Sequence, residues 1–443
     1  MLLGIGGGGA AALLLANESD GFTSDQRNDG ETPFLPSDLK PIIYDLSQEF
    51  SRFIPVNGKL KKYFPMDLND GSGRFPVFAQ MPAEFAYKDF HQKFLLQEAD
   101  AQLLTMVHSV GGGTGSGTAP VFAKKLGDMA SDQHAIDFMV SLSIVDIKRP
   151  GQEKENHVYN LPRICESFDL AIQIENTMCT GAGMHDYDDF IDQKARRSSA
   201  KRYLEGSIRH SLADKRTPSW FTDVNEELLT VPDRYLARIW RLLHGTTYGR
   251  NIKDAVGTLE NGPRYRHPGG HGRHAVPYIW PIEKDTENLS DGSDPTKYVV
   301  RALKDGGLAR VNIDDFQSAE SAVIIYNTAS VMDSSFEQKM TQAAAKLLNI
   351  PESRVVPIRS FLQSDKGEDN VQSASEMELL ILAVGQVPTY VRELHSELES
   401  DPVFRTEIEN LGRKWSDHEA GLNPSNRTRR WTNLETIASN WFQ

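Results

Sequence analysis

The stretch Ser109-Val110-Gly111-Gly112-Gly113-Thr114-Gly115-Ser116-Gly117-Thr118 constrains this chain more than any other. An apolar run from Leu103 to Val110 leads into it and a helical pattern from Val121 to Ala130 leads out. The spacing therefore predicts strand, glycine loop, helix. Five glycines in the seven positions from Gly111 to Gly117 let the backbone turn successive amides toward one point. The hydroxyls of Thr114, Ser116 and Thr118 add donors at a helix N-terminus, where the dipole favours an anion. This is the pattern of a phosphate cradle. A flexible Gly/Ser linker would have polar flanks, and these are apolar. No Lys follows the last glycine, so it is not a Walker loop.

At 443 residues the chain exceeds one typical core, so two domains and a tail are expected. Hydrophobic content of 39% with 25% charged residues is that of a soluble globular protein, and no apolar run reaches membrane-spanning length. A net charge of −13 argues against nucleic acid as a partner. Two cysteines, Cys165 and Cys179, make no disulfide framework and point to a reducing, cytoplasmic compartment. Met1 to Ala16 is apolar, but it lacks a basic start and has four glycines at its centre, so strand, turn and helix is a better reading than a signal peptide.

The run GGGTGSG from Gly111 to Gly117 resembles the signature loop of the tubulin/FtsZ superfamily of GTP-binding cytoskeletal proteins. The resemblance implies an α/β fold: an N-terminal Rossmann-like GTPase domain with a parallel sheet, a central helix, and a smaller C-terminal α/β domain. It also implies GTP or GDP on Gly111, Gly112, Gly113, Thr114, Gly115, Ser116 and Gly117.

Other stretches are similar to the family's remaining loops. Gly6, Gly7 and Gly8, after a short strand, resemble the first nucleotide loop, with Ala11 where the family has Asn. Gly4-x-Gly6-x-x-Gly9 also matches the dinucleotide fingerprint, which would make the chain an oxidoreductase. That fingerprint expects an acid about twenty residues on, and the first acid ending a strand, Asp45, is far too late. Asp45 instead resembles the Asp of a second loop ending Asp-Leu-Glu. Ser47 replaces the Glu, so Mg²⁺ is expected to be held through the phosphates.

Asp67 to Gly73 lies in the place of the loop that senses the γ-phosphate, making Gly71, Ser72 and Gly73 candidates; a plain surface turn is the other reading. The polar stretch Arg149 to Asn160 reads as the loop that gives the family's ribose contact, with Glu155 and Asn160 as candidates. The strand Phe168 to Asn176 ends in an amide that the resemblance assigns to guanine, since an amide donates and accepts in one plane. A turn-forming Asn remains open. The central helix spans 223–246, capped near Asp223 or starting at Pro232, and Asp233 falls where the family places a second guanine contact.

The resemblance puts a catalytic loop at about 247–258, with Asn251 and Asp254 orienting the water that attacks GTP in the next subunit. Gly257 stands where a second acid is expected, and Glu260 would replace it only with a shifted backbone. Val311 to Asp315 is a less favoured location for the same loop. His267, His271 and His274 have ligand spacing, but Arg264, Arg266 and Arg273 would repel a cation, so no metal site is assigned there.

The domain reading is 1–222 for GTP binding, with an insertion at about 180–222, then 223–246 for the central helix, 247–390 for the C-terminal domain, and 391–443 for a helix and polar tail. Trp431, Leu434, Ile437 and Trp441 form a short stripe in that tail that suits a protein partner. The whole resembles an archaeal, CetZ-like or divergent FtsZ-like protein. It implies GTP-dependent, head-to-tail self-assembly with hydrolysis at the junction and no membrane insertion. A GTP-binding regulator that does not polymerise is the rival.

Overall fold

The computed structural model describes residues 1–18, 41–47, 61–65, 72, 75–95, 103–129, 136, 138–145, 152–175, 232–246, 252, 255, 273–279, 295–312, 316–327, 334–360 and 378–410. In chain order the strands are β1 Leu2–Ile5, β2 Pro41–Tyr44, β3 Lys61–Tyr63, β4 Leu103–Ser109, β5 Phe138–Val145, β6 Leu170–Glu175, β7 Arg273–Ile279, β8 Ser321–Asn327, β9 Val355–Arg359 and β10 Glu378–Val384. The helices are α1 Gly6–Glu18, α2 Pro76–Phe90, α3 Thr114–Met129, α4 Gln152–Ser167, α5 Pro232–Gly245, α6 Thr296–Asp305, α7 Ser334–Leu348, α8 Thr389–Ser400 and α9 402–410.

Among the described residues all ten strands join one sheet in the order β3-β2-β1-β4-β5-β6-β7-β10-β8-β9. From β3 to β7 every pairing is parallel. β10 then runs antiparallel between β7 and β8, and β9 lies parallel to β8. Parallel strands covered on both faces read as apolar runs, as β1 and β2 do, while Thr105 and His108 interrupt β4 and Gln173 interrupts β6. This is the α/β class expected.

One face of the sheet carries a single core. Leu2, Val107, Leu142 and Ile172 share it with Val323, Leu380 and Leu382 of the C-terminal strands. The central helix α5 buries Leu236, Ile239, Trp240, Leu242 and Leu243 there and packs on α1, β8 and β10. Its C-terminal end is tied down by the Ser360 hydroxyl, which donates to the Leu242 carbonyl at 2.9 Å, and by an Arg241–Glu378 ion pair. The other face holds two cores. One packs α2, α3, α4, α8 and α9 on the N-terminal strands, and the other packs α6 and α7 on β7, β8 and β10.

Several local expectations change. α2 begins at Pro76, with proline in its first turn where no N–H is needed. β3 is an edge strand that its lysines concealed. The polar stretch through Asn160 is not a loop, since α4 begins at Gln152. The Glu337 carboxylate, in the first turn of α7, accepts the Tyr326 hydroxyl. The charged C-terminal helix breaks at Asp401, whose side chain accepts the N–H groups of Val403 at 2.9 Å and Phe404 at 3.1 Å and so starts α9.

Candidate functional site

The chain leaves β1 for β2 on one side and returns to the other side of β1 as β4. Between β1 and β4 lies a topological switch point, where open α/β sheets form a crevice at the carboxyl ends of their strands. The registers Ile5↔His108 and Ile5↔Tyr44 bring those ends level. Both glycine loops open on this crevice, and α1 and α3 start there, so two helix N-termini converge on it.

The loops are packed backbone to backbone. Gly6 has φ +68°, and a Cβ on it would lie 2.6 Å from the Gly115 nitrogen. That left-handed residue reverses the chain at once, so α1 begins at Gly6 rather than after a four-residue turn. A Cβ on Gly9 would meet the Val107 carbonyl oxygen at 2.1 Å, and one on Gly117 the Pro76 carbonyl oxygen at 2.1 Å. Gly7 is exposed and Gly8 and Gly112 are half-buried, so these three face the crevice mouth. Gly113 and Gly115 are buried beneath it.

Side chains hold the signature loop from behind. Ser116 donates its hydroxyl to the Gly112 and Gly113 carbonyls. From α4, Asn156 donates to the Gly111 carbonyl at 2.8 Å and Asn160 to the Val110 carbonyl at 3.3 Å. The His157 ring sits under Gly111, where a Cβ would meet its Cε1 at 2.5 Å. Asn160, expected at the ribose, is therefore corrected: it is fully buried and its amide serves the loop. Glu155 is half-buried in the first turn of α4, where burial and the nearby Glu407 carboxylate raise its pKa. Sequence reasoning missed Asn156 and His157. Their signal is a polar set at 156, 157 and 160 among the apolar Val158, Tyr159, Leu161 and Ile164.

Ser72 of the third loop is buried and accepts the Thr114 hydroxyl at 3.4 Å, which brings these two candidates together. Asp45 is buried after β2, and its Oδ1 accepts the N–H of Leu46 at 2.7 Å and of Ser47 at 3.4 Å. Asp233 lies in the first turn of α5, and its side chain is outside the described residues. Gly71, Gly73, Asn176, Asn251 and Asp254 are also outside them, as are the whole 180–222 insertion and most of the His/Arg loop and the tail. Ile252 and Ala255 are helical and buried in the shared core.

A polar row runs under the loop. His108 Nε2 lies 2.8 Å from the Ser141 hydroxyl, which lies 2.7 Å from that of Ser143, and the His108 ring stacks on Phe168. Full burial lowers the His108 pKa to about 4. The unfolded chain takes up this proton near pH 6.5 and the folded chain only near 4, so stability falls as pH drops through that window. The expected loss is about 3 kcal/mol. Urea unfolding at pH 7 and pH 4.5 should show it in the wild type and much less in His108→Gln; equal losses in both would refute it.

The fit to a nucleoside phosphate rests on the loops themselves: a glycine cradle at two helix N-termini, with Gly7 exposed and Gly8 and Gly112 half-buried at its mouth and a neutral wall behind. Among the described residues no cluster of three or more His, Cys, Asp or Glu is placed to hold a metal. A magnesium ion would be held chiefly by the phosphates and water.

Residues 87–181 match the model of the Tubulin/FtsZ family, GTPase domain. No curated protein matches the chain. Among solved structures, CetZ2 from Haloferax volcanii, a GTPγS-bound protofilament, superposes with TM-score 0.57 at 15% identity, covering 92% of this chain and 98% of that one. CetZ from Methanosaeta thermophila superposes with TM-score 0.57 at 13% identity, covering 96% of this chain and 97% of that one. At these identities the likeness is one of fold. The GTPase-domain match is confined to residues 87–181, a span that takes in the loop flanking the switch point.

Proposed function

We propose that the protein binds GTP in the β1/β4 crevice, assembles head to tail with copies of itself, and hydrolyses GTP at the junction between subunits. The observation that carries this reading is the pair of glycine loops, locked backbone to backbone at adjacent strand ends, with Gly7, Gly8 and Gly112 facing outward. The phosphates rest on Gly6 to Gly8 and Gly111 to Gly117, with Ser72 and Gly71 to Gly73 toward the γ-phosphate, and Mg²⁺ is carried on the phosphates. Asp45 shapes the turn beside them, Glu155 or its neighbour Glu153 faces the ribose side, and Asn176 and Asp233 read guanine. Asn251 and Asp254 are supplied to the pocket of the next subunit. Such heterologous contacts extend into filaments rather than closing. The GTPγS-bound protofilament of the Haloferax CetZ2 supports self-association as the partner reading.

A cytoplasmic setting fits this role, and among the described residues no helix is long and apolar enough to cross a membrane. Ser47 and Gly257 favour the second reading, a nucleotide-binding regulator that hydrolyses slowly and does not polymerise, because each replaces an acid of the family's pattern. One experiment separates them. Purified protein is expected to release guanine nucleotide on denaturation, and 90° light scattering is expected to rise with GTP and Mg²⁺ and not with GDP. Released adenine nucleotide or NAD would overturn the site; guanine nucleotide with a flat trace across salt concentrations would favour the regulator.

A further inference from the structure

We propose that Asn156 and Asn160 of α4 are positioning residues that aim the amides of the signature loop into the crevice. The inference rests on the nucleotide reading of that crevice and assigns work to two side chains outside it. A trans peptide is planar, with its C=O and N–H pointing in opposite directions. Asn160 holds the Val110 carbonyl at 3.3 Å and Asn156 holds the Gly111 carbonyl at 2.8 Å, both toward α4. The N–H groups sharing those two planes, of Gly111 and Gly112, therefore point away from α4. Ser116, in the first turn of α3, holds the Gly112 and Gly113 carbonyls of the next two planes toward its own helix, and Gly117 N–H adds a bond to the Gly113 carbonyl at 3.0 Å.

Four successive carbonyls, of residues 110 to 113, are thus tethered, two by α4 and two by α3, which fixes the peptide planes that carry the N–H groups of residues 111 to 114. Without the tethers, glycine planes flip readily, because no side chain restricts them. Both asparagines are fully buried, so their amides have no water to compete for them. A donor with a fixed plane is what the task needs: an aspartate in either place would repel the carbonyl, and an alanine would release it. His157 between them fills the space beneath Gly111 and limits its drift.

The test uses full-length protein and competition binding with GTP, GDP and guanosine. Asn156→Ala is expected to weaken GTP and GDP about three- to tenfold, the range of one neutral hydrogen bond, with Asn156→Asp weaker still. Guanosine, which has no phosphate, is expected to bind within about twofold of wild type. Ser360→Ala removes an equally buried bond to a carbonyl far from the loop, and should lower the melting temperature without changing any affinity. If Asn156→Ala does not fold, Asn160→Ala, which loses the longer bond, gives the same comparison. Variants that melt lower but bind GTP as tightly as wild type would overturn the positioning role, as would equal losses for GTP and guanosine. A wild type that binds no guanine nucleotide would overturn the site and this inference together.

Discussion

Gly117→Val is expected to destabilise the protein by about 3 kcal/mol or more, at the upper end of what overpacking does. The first turn of α3 lies directly on the start of α2. A Cβ at 117 would sit 2.1 Å from the Pro76 carbonyl oxygen, 2.8 Å from its carbon and 2.9 Å from the Ala79 Cβ. Backbone cannot change rotamer, so the two helices must separate. They are joined deeper down by Phe90 against Phe122 at 5.3 Å between ring centroids and by the Lys125–Glu84 ion pair at 2.8 Å, which resist that movement. Nucleotide retention should be lost as well, since α3 carries the signature loop. Gly112→Ala is the matched control: its Cβ would find nothing nearer than 3.8 Å, so stability should change by less than about 0.5 kcal/mol while phosphate binding suffers. Urea midpoints of the two variants decide the matter, and similar midpoints would mean the α2–α3 contact is looser than described.

Arg310→Met should have an effect of the same order for an electrostatic reason. Glu175 ends β6 and is only 1% exposed, and its Oε1 accepts the Arg310 Nε at 2.7 Å while its Oε2 accepts the Arg310 backbone N–H at 3.0 Å. Arg310 also reaches Glu393 on α8 at 3.2 Å, and the Thr389 N–H donates to the Arg310 carbonyl at 2.7 Å. Removing the guanidinium takes the Arg310 charge away from a buried carboxylate, which costs about 3 kcal/mol where partial exposure of the site lets water assist. Adding Glu175→Gln to Arg310→Met should recover a substantial part of the loss, because the buried charge is gone. A single variant as stable as the wild type, or a double variant no better than the single, would show that the pair contributes little.

Apart from β3, the N-terminal strands and both glycine loops were legible because each has a local cause. Buried parallel strands are continuous apolar runs, and a glycine block between strand and helix has few other uses. α4 was hidden for an equally local reason: its first turn is Gln152, Glu153, Lys154 and Glu155, and Asn156, His157 and Asn160 interrupt its apolar face. Those interruptions make sense only once the loop carbonyls are placed opposite them. The joining of the two halves in one sheet rests on Leu170 to Ile172 pairing with Arg273 to Ala275, about a hundred residues apart, and nothing in either segment alone specifies the other. Asn156 was therefore read as part of a polar loop, and Asn160 was given the wrong neighbour.

The loop packing also bears on how such a motif is inherited. Gly9 and Gly117 are excluded from gaining a side chain by the protein's own backbone, before any ligand arrives. A descendant that had given up its nucleotide would still be held to glycine there by folding alone. Gly112, where a Cβ would find nothing nearer than 3.8 Å, is under no such restraint from the interior, and drift at that letter, rather than loss of the glycine-rich string, would be the mark of a lineage that no longer uses phosphate.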